Sequence, residues 1–197
     1  LITEDWRHRQ FTPAKGDYVP LPLSPAARKI ADSWDPAKDE AAGEQCKAYG
    51  AAGLMRLPTR IRIAWEDDAT LKLETEAGRQ TRTFYFGPPP GTGGNWQGVS
   101  SATWDAPRAP FAGRGGGPSS GGSLKVVTTR MKPGYLRKNG VPYSENAVVT
   151  EYFTRHTGPA DMEWLTVTTV VEDPQYLREP FVTSATFRKD PDPSRWN

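Results

Sequence analysis

"RIRIAWEDDATLKLETEAGRQTRTFYF", residues 60–86, alternates apolar and polar side chains with a period of two, the signature of half-buried strands. Setting Trp65 opposite Leu71 puts Ile63 opposite Leu73, Arg62 opposite Glu74 and Arg60 opposite Glu76. One face then collects Ile61, Ile63, Trp65, Leu71 and Leu73, and the other carries cross-strand ion pairs; a slip of one residue would destroy both sets at once. Gly78 suits a tight turn into a third strand, "QTRTFYF". That strand sends Phe84 and Phe86 to the apolar face, and Arg82 with them. A guanidinium facing inward is costly unless it is paired or meets a ligand, which makes Arg82 the position on which any site hangs.

Strand-like stretches continue at "NWQGVSSATW", "SLKVVTTRM", "NAVVTEYFTR", "EWLTVTTVVE" and "FVTSATFRK". About eight strands at short spacing predict an all-β domain, an antiparallel up-and-down barrel of the lipocalin or calycin type, with a two-sheet sandwich as the competitor. Residues 1–55 form an irregular, partly helical N-terminal segment and 56–197 the barrel, within a single domain. In that segment Ser24 is placed to cap a helix with Pro25 at its first position, running to Trp34 before Pro36, and a second short helix is expected over Lys38 to Cys46. "EDWRHR" is expected at the surface or over one barrel end. The loops "GPPPGTGGN" and the glycine-rich 107–122 lack the Lys-Ser/Thr ending and the following helix of a phosphate loop.

The chain of 197 residues carries 25 basic and 23 acidic side chains, a net charge of +2. So small an excess marks no basic stripe, and no nucleic-acid partner is expected. No apolar run approaches the roughly 18 residues of a spanning helix, so no membrane span is expected. The single Cys46 excludes an internal disulfide. The first residue is Leu1 rather than Met, as expected of a processed or trimmed product. Seven Trp, seven Tyr and seven Phe supply a core and could also grip a flat ligand.

The segments "NWQGVSSATW", "LKVVTTRMKPGYLRKNGVPYSENAVVTEYF" and "WLTVTTVVEDPQYLREPFVTSATF" resemble a family of uncharacterised bacterial proteins, with weaker echoes in "ITEDWRHR" and "DEAAGEQCK". The resemblance covers about the last half of the chain. It implies an exported protein, periplasmic or secreted, with a lipocalin-like β-barrel. The family has no established activity, so no catalytic residue carries over. Relatives often have His soon after the Cys-Lys pair, whereas "CKAYGAAG" has none.

No metal site is expected, because His8 and His156 are far apart and Cys46 stands alone. No cofactor is expected either, and no G-x-S-x-G elbow occurs. What remains is cofactor-free acid–base chemistry, with Arg82, Glu151, Tyr152 and Arg130 as the candidate catalytic groups. Trp96, Trp104, Tyr135 and His156 are the candidate ligand contacts. On "VVTEYFTRH" one face carries Val149, Glu151 and Phe153, and the other Tyr152 and His156. Either could look inward. If Glu151 does, it meets Arg82 or Arg130, as a structural pair or as a base beside an electrophile. The turn from Lys132 to Tyr143 is expected at the rim. Trp96 and Trp104 share a strand face with Gly98, Ser100 and Ala102, and either fill core or make room for a flat guest. Three function classes stay open: a lyase, isomerase or hydrolase acting on a small organic, aromatic or sugar-derived substrate; a lipocalin-like carrier of such a ligand; and a structural or partner-binding barrel. Oligomeric state is left open.

Overall fold

The computed structural model describes residues 2–3, 13–91, 93–105 and 122–196. His8 with its "EDWRHR" surround, and all but the last residue of the 107–122 loop, lie outside the described residues. The strands are β1 (Ile2–Thr3), β2 (Ile61–Asp67), β3 (Thr70–Thr75), β4 (Thr81–Tyr85), β5 (Val99–Asp105), β6 (Ser123–Thr129), β7 (Gly134–Arg137), β8 (Val141–Tyr143), β9 (Val148–Thr157), β10 (Glu163–Glu172) and β11 (Phe181–Arg188). Nine of them form one sheet in the order β1-β11-β10-β9-β6-β5-β4-β3-β2, and its eight longer strands curl into a half-barrel. The all-β, barrel-like architecture is thus present.

The expected hairpin register holds residue for residue. Trp65 faces Leu71, Ile63 faces Leu73 and Arg62 faces Glu74, with a bulge between Trp65 and Asp67. The outward ion pairs form as well, Arg62–Glu74 at 2.6 Å and Arg60–Glu76 at 3.1 Å. Two features depart from a simple meander. β4 and β5 run parallel, and only Phe84–Ser100 and Tyr85–Ser101 pair. β7 and β8 leave the sheet as a separate hairpin between β6 and β9.

The alternation that writes each strand also fills the concave face. Leu73, Phe84, Ala102, Val126, Phe153, Val167 and Phe187 point into it, and Ala48, Leu54, Met55 and Leu57 from the N-terminal segment pack down on them. A second apolar cluster joins Val149, Val171 and Phe181 to Leu136, Val141 and Tyr143 of the hairpin and to Ala27 and Ala31 of α1. α1 (Pro25–Ser33) starts as its sequence indicates: the Ser24 hydroxyl accepts from the Ala27 N–H, with Pro25 at the first position. The second expected helix divides into α2 (Pro36–Ala41) and a 3₁₀ turn over Gln45–Tyr49, ahead of α3 (Ala51–Leu54). Among the described residues no helix is long and apolar enough to cross a membrane.

The turn at 139–144 differs from its expected place at the rim. Asn139, Val141, Tyr143 and Ser144 are all buried. Asn139 Nδ2 donates to the Ala14 and Asp17 carbonyls, and the Ser144 N–H and hydroxyl donate to Asp173 at 2.6 and 2.8 Å, whereas the Asn139 Oδ1 and the Tyr143 hydroxyl are buried without a hydrogen-bond partner among the described residues. Asp173 also accepts from the N–H groups of Gln175 and Tyr176. Asp173→Ala orphans these donors, two of them buried, and is expected to cost about 2–3 kcal/mol, read as a lowered urea midpoint at unchanged slope.

Candidate functional site

Arg82 looks inward, and so does the Glu151 face of β9. The guanidinium grips the carboxylate with both ends, Nη1 to Oε1 at 2.9 Å and Nη2 to Oε2 at 2.5 Å. Nη2 also donates to Thr128 Oγ1 at 3.0 Å, and that hydroxyl lies 2.8 Å from Ser100 Oγ. The Arg82 Cζ sits 5.0 Å from the Phe84 ring centroid. β5 and β6 lie between β4 and β9 in the sheet, so the pair spans the concavity as a strut. Neither side chain has accessible surface. A bidentate arginine–carboxylate pair with no accessible surface locks two strands together and leaves the carboxylate out of a substrate's reach. A polar cleft of about 290 Å³ lies where the short β4–β5 pairing ends, with Arg82 itself in its walls beside Thr81, Thr83, Asn95, Gln97 and Ser100.

The other candidates do not converge on this pair. Tyr152 points outward, as period two requires once Glu151 points in, and Lys125 lies over its ring at 5.8 Å. Arg130 sits just past β6 at a positive φ of 55°, is exposed, and reaches the Gly91 carbonyl at 3.5 Å. His156 is exposed on β9 opposite Trp164. Trp96 precedes β5 instead of lying on it; its Nε1 donates to the Pro133 carbonyl, under the Lys132 ammonium. Tyr135 donates to Asp39 at 3.0 Å, beside Trp34 Nε1, which donates to the other carboxylate oxygen at 2.8 Å. Burial first, and then that hydrogen bond to Asp39, push the Tyr135 hydroxyl well above the ordinary phenol range. It is a structural donor, not a proton source near neutral pH.

Trp104 behaves differently. It is 64% exposed and Trp65 53% exposed, although both stand on the inward face of their strands. Their strands run beyond the filled part of the concavity, to its open end. There Trp65, Phe86 and Trp104 form a row: the first two ring centroids are 5.2 Å apart with planes at 36°, the next two 5.7 Å apart at 33°. In register beyond Trp104 lie Leu124 and then Phe153.

A cleft of about 510 Å³ opens between β2 and the β10–β11 side of the sheet, and none of the three rings of the row lines it. Ile61, Ile63 and Leu165 line it, with Trp164 and Trp196, and Ile63 is two residues from Trp65 on the same strand face. Its charged rim is matched internally: Glu163 pairs with Lys189 and, at 2.7 Å, with Arg155. The Lys189 ammonium, with Arg155 behind it, holds the Glu163 carboxyl below its usual range, so it stays ionised at neutral pH. An apolar floor with a few fixed polar groups at the edge is the common form of a small-molecule site.

Trp65, Phe86 and Trp196 are the contacts that sequence reasoning did not single out. The alternation of β2 does place Trp65 on the inward face, but a face does not say how far along the strand the filling reaches. Among the described residues, no three His, Cys, Asp or Glu side chains group as a metal would require. No family model matches the chain, and no curated protein or solved structure matches it.

Proposed function

We propose that this protein binds a small organic ligand with a flat face, an aromatic or a sugar ring, at the open end of the half-barrel, and holds it without chemical change. The observation that carries the reading is the row Trp65–Phe86–Trp104, two exposed tryptophans either side of a half-buried phenylalanine. Exposed aromatic rings cost solvation in the free protein and are repaid by stacking on a ligand. The adjoining cleft supplies apolar depth for the rest of the ligand. The cofactor-free lyase or isomerase reading loses support because Arg82 and Glu151 occupy each other and have no accessible surface. The lipocalin-like character of the half-barrel and its export belong to the proposal too, resting on the resemblance of its C-terminal half.

The test is a thermal-shift and tryptophan-fluorescence screen over small aromatics, glycosides, hydroxy-ketones and fatty acids, with mass analysis of each hit. A bound ligand at a hundredfold excess over its Kd adds about 2.7 kcal/mol of stability. Trp104→Ala is expected to weaken the hit tenfold or more, about the 1–3 kcal/mol of a lost ring-stacking contact. The unliganded variant should keep its stability within about 0.5 kcal/mol, as an exposed substitution does. Equal affinity in Trp104→Ala, or no hit in the whole panel, would sink the proposal. Consumption of the hit, abolished by Arg82→Leu, would restore the catalytic reading.

A further inference from the structure

Away from the aromatic row, the start of β11 meets β7 and the chain leaving α3. Phe181 opens β11, at the opposite end of that strand from Phe187. Arg56, two residues beyond α3, lays its guanidinium over the Phe181 ring with Cζ 5.3 Å from the centroid. Its Nη2 is buried and has no hydrogen-bond partner. Arg137 on β7 is half-buried and donates Nη1 to the Val19 carbonyl at 2.8 Å. Among the described residues neither arginine has a carboxylate within ion-pair distance. Asp17 acts on Arg137 through its field alone.

Two like charges therefore stand on neighbouring parts of the chain, α3 being packed against β7, each half-withdrawn from solvent. Burial, and then the positive charge of Arg137, push the Arg56 guanidinium down to about 9, which still leaves it charged at neutral pH. Buried charges are normally paired or bound to a ligand, because desolvation without a partner is expensive. The same chain supplies its own comparison: Arg82, more fully enclosed than the half-buried Arg56, has both terminal nitrogens matched by Glu151. A planar fork of N–H donors facing no carboxylate fits an oxygen anion, which it can bind with two parallel hydrogen bonds.

We propose that Arg56 and Arg137 form a binding site for a small oxyanion, a carboxylate or phosphate group, with the Arg56 guanidinium held in place by its stacking on Phe181. The guanidinium of Arg56 supplies the inner contact, and Arg137 closes the site from β7 beside the Val19 carbonyl. The site is separate from the aromatic row, so either can fail without the other.

Thermal unfolding in inorganic phosphate, in acetate and in chloride, all at one ionic strength and pH, tests this, with calorimetric titration of the anion that responds. Wild type is expected to show a saturable rise in Tm with phosphate, acetate or both over chloride. A response to both assigns the site to oxyanions at large, and a response to one alone fixes its class. Arg56→Met is expected to lose that rise and, in chloride, to melt no lower than wild type, since it removes an unmatched buried charge. If Arg56→Met does not fold, Arg137→Gln serves for the same comparison, with a reduced rise expected. An equal rise in wild type and variant, or no rise with either anion, would overturn the proposal.

Discussion

Glu151→Gln is expected to lower the unfolding free energy by about 3–5 kcal/mol, because it strips the counter-charge from a guanidinium with no accessible surface. For a chain of this length that corresponds to a fall in Tm on the order of 10 °C. The amide keeps the shape of the carboxylate, so the loss reports charge and not a cavity. Arg82→Met should cost a similar amount by orphaning Glu151. The double variant Arg82→Met/Glu151→Leu should recover most of the loss, since an apolar pair of similar size avoids both desolvation penalties. The coupling energy of this cycle, read from urea melts, measures the strut directly. The cycle also bears on function: a folded double variant is expected to bind ligand at the aromatic row with wild-type affinity. If Glu151→Gln cost under about 1 kcal/mol while the double variant lost binding, the pair would have to be solvated and in contact with the ligand. The acid–base reading would then return.

How far the sequence reveals this molecule depends on whether a feature is set by neighbours in the chain or by distant contacts. The β2–β3 register was legible because a single alignment satisfies two apolar pairs and two ion pairs together. The inward turn of Arg82 followed from the same alternation carried past Gly78, whose φ of 75° makes the turn. The choice between the Glu151 and Tyr152 faces was not legible, because both faces of β9 mix polar and apolar residues; the partner across the concavity decides it. Arg130 falls away from the site because a positive φ just after β6 redirects it, which no periodicity encodes. The 139–144 turn reads as surface by composition, yet the Asn139 amide N–H and the Ser144 hydroxyl are bonded to residues 122 and 29 positions away, Asp17 and Asp173. The aromatic row needs three strands, two of them paired in parallel, and so stays invisible until the sheet is assembled.

Gly140→Ala is expected to destabilise the protein by about 2–5 kcal/mol, the other large single-site effect in the molecule. Gly140 has a φ of 82°, where an alanine pays about 1–2 kcal/mol for the left-handed backbone. An added Cβ would also overlap the Cβ and ring of Trp34, and overpacking of this kind adds about 1–3 kcal/mol. Trp34 has little freedom to withdraw: its indole N–H is bonded to Asp39 at 2.8 Å and its ring meets Tyr135 edge-on at 6.3 Å. The turn cannot slide either, because Asn139 is bonded to the carbonyls of Ala14 and Asp17. Gly91 provides the control, with a φ of 87° and no atom within 4 Å of where its Cβ would stand. Gly91→Ala should therefore show the backbone cost alone, and the excess in Gly140→Ala measures how firmly Trp34 is held. Urea melts of the two variants give that difference, and the near-ultraviolet circular dichroism of Trp34 shows whether the ring has moved. Equal costs at both positions would mean that Trp34 yields freely, and that α1 and the β7–β8 hairpin are joined more loosely than their buried contacts imply.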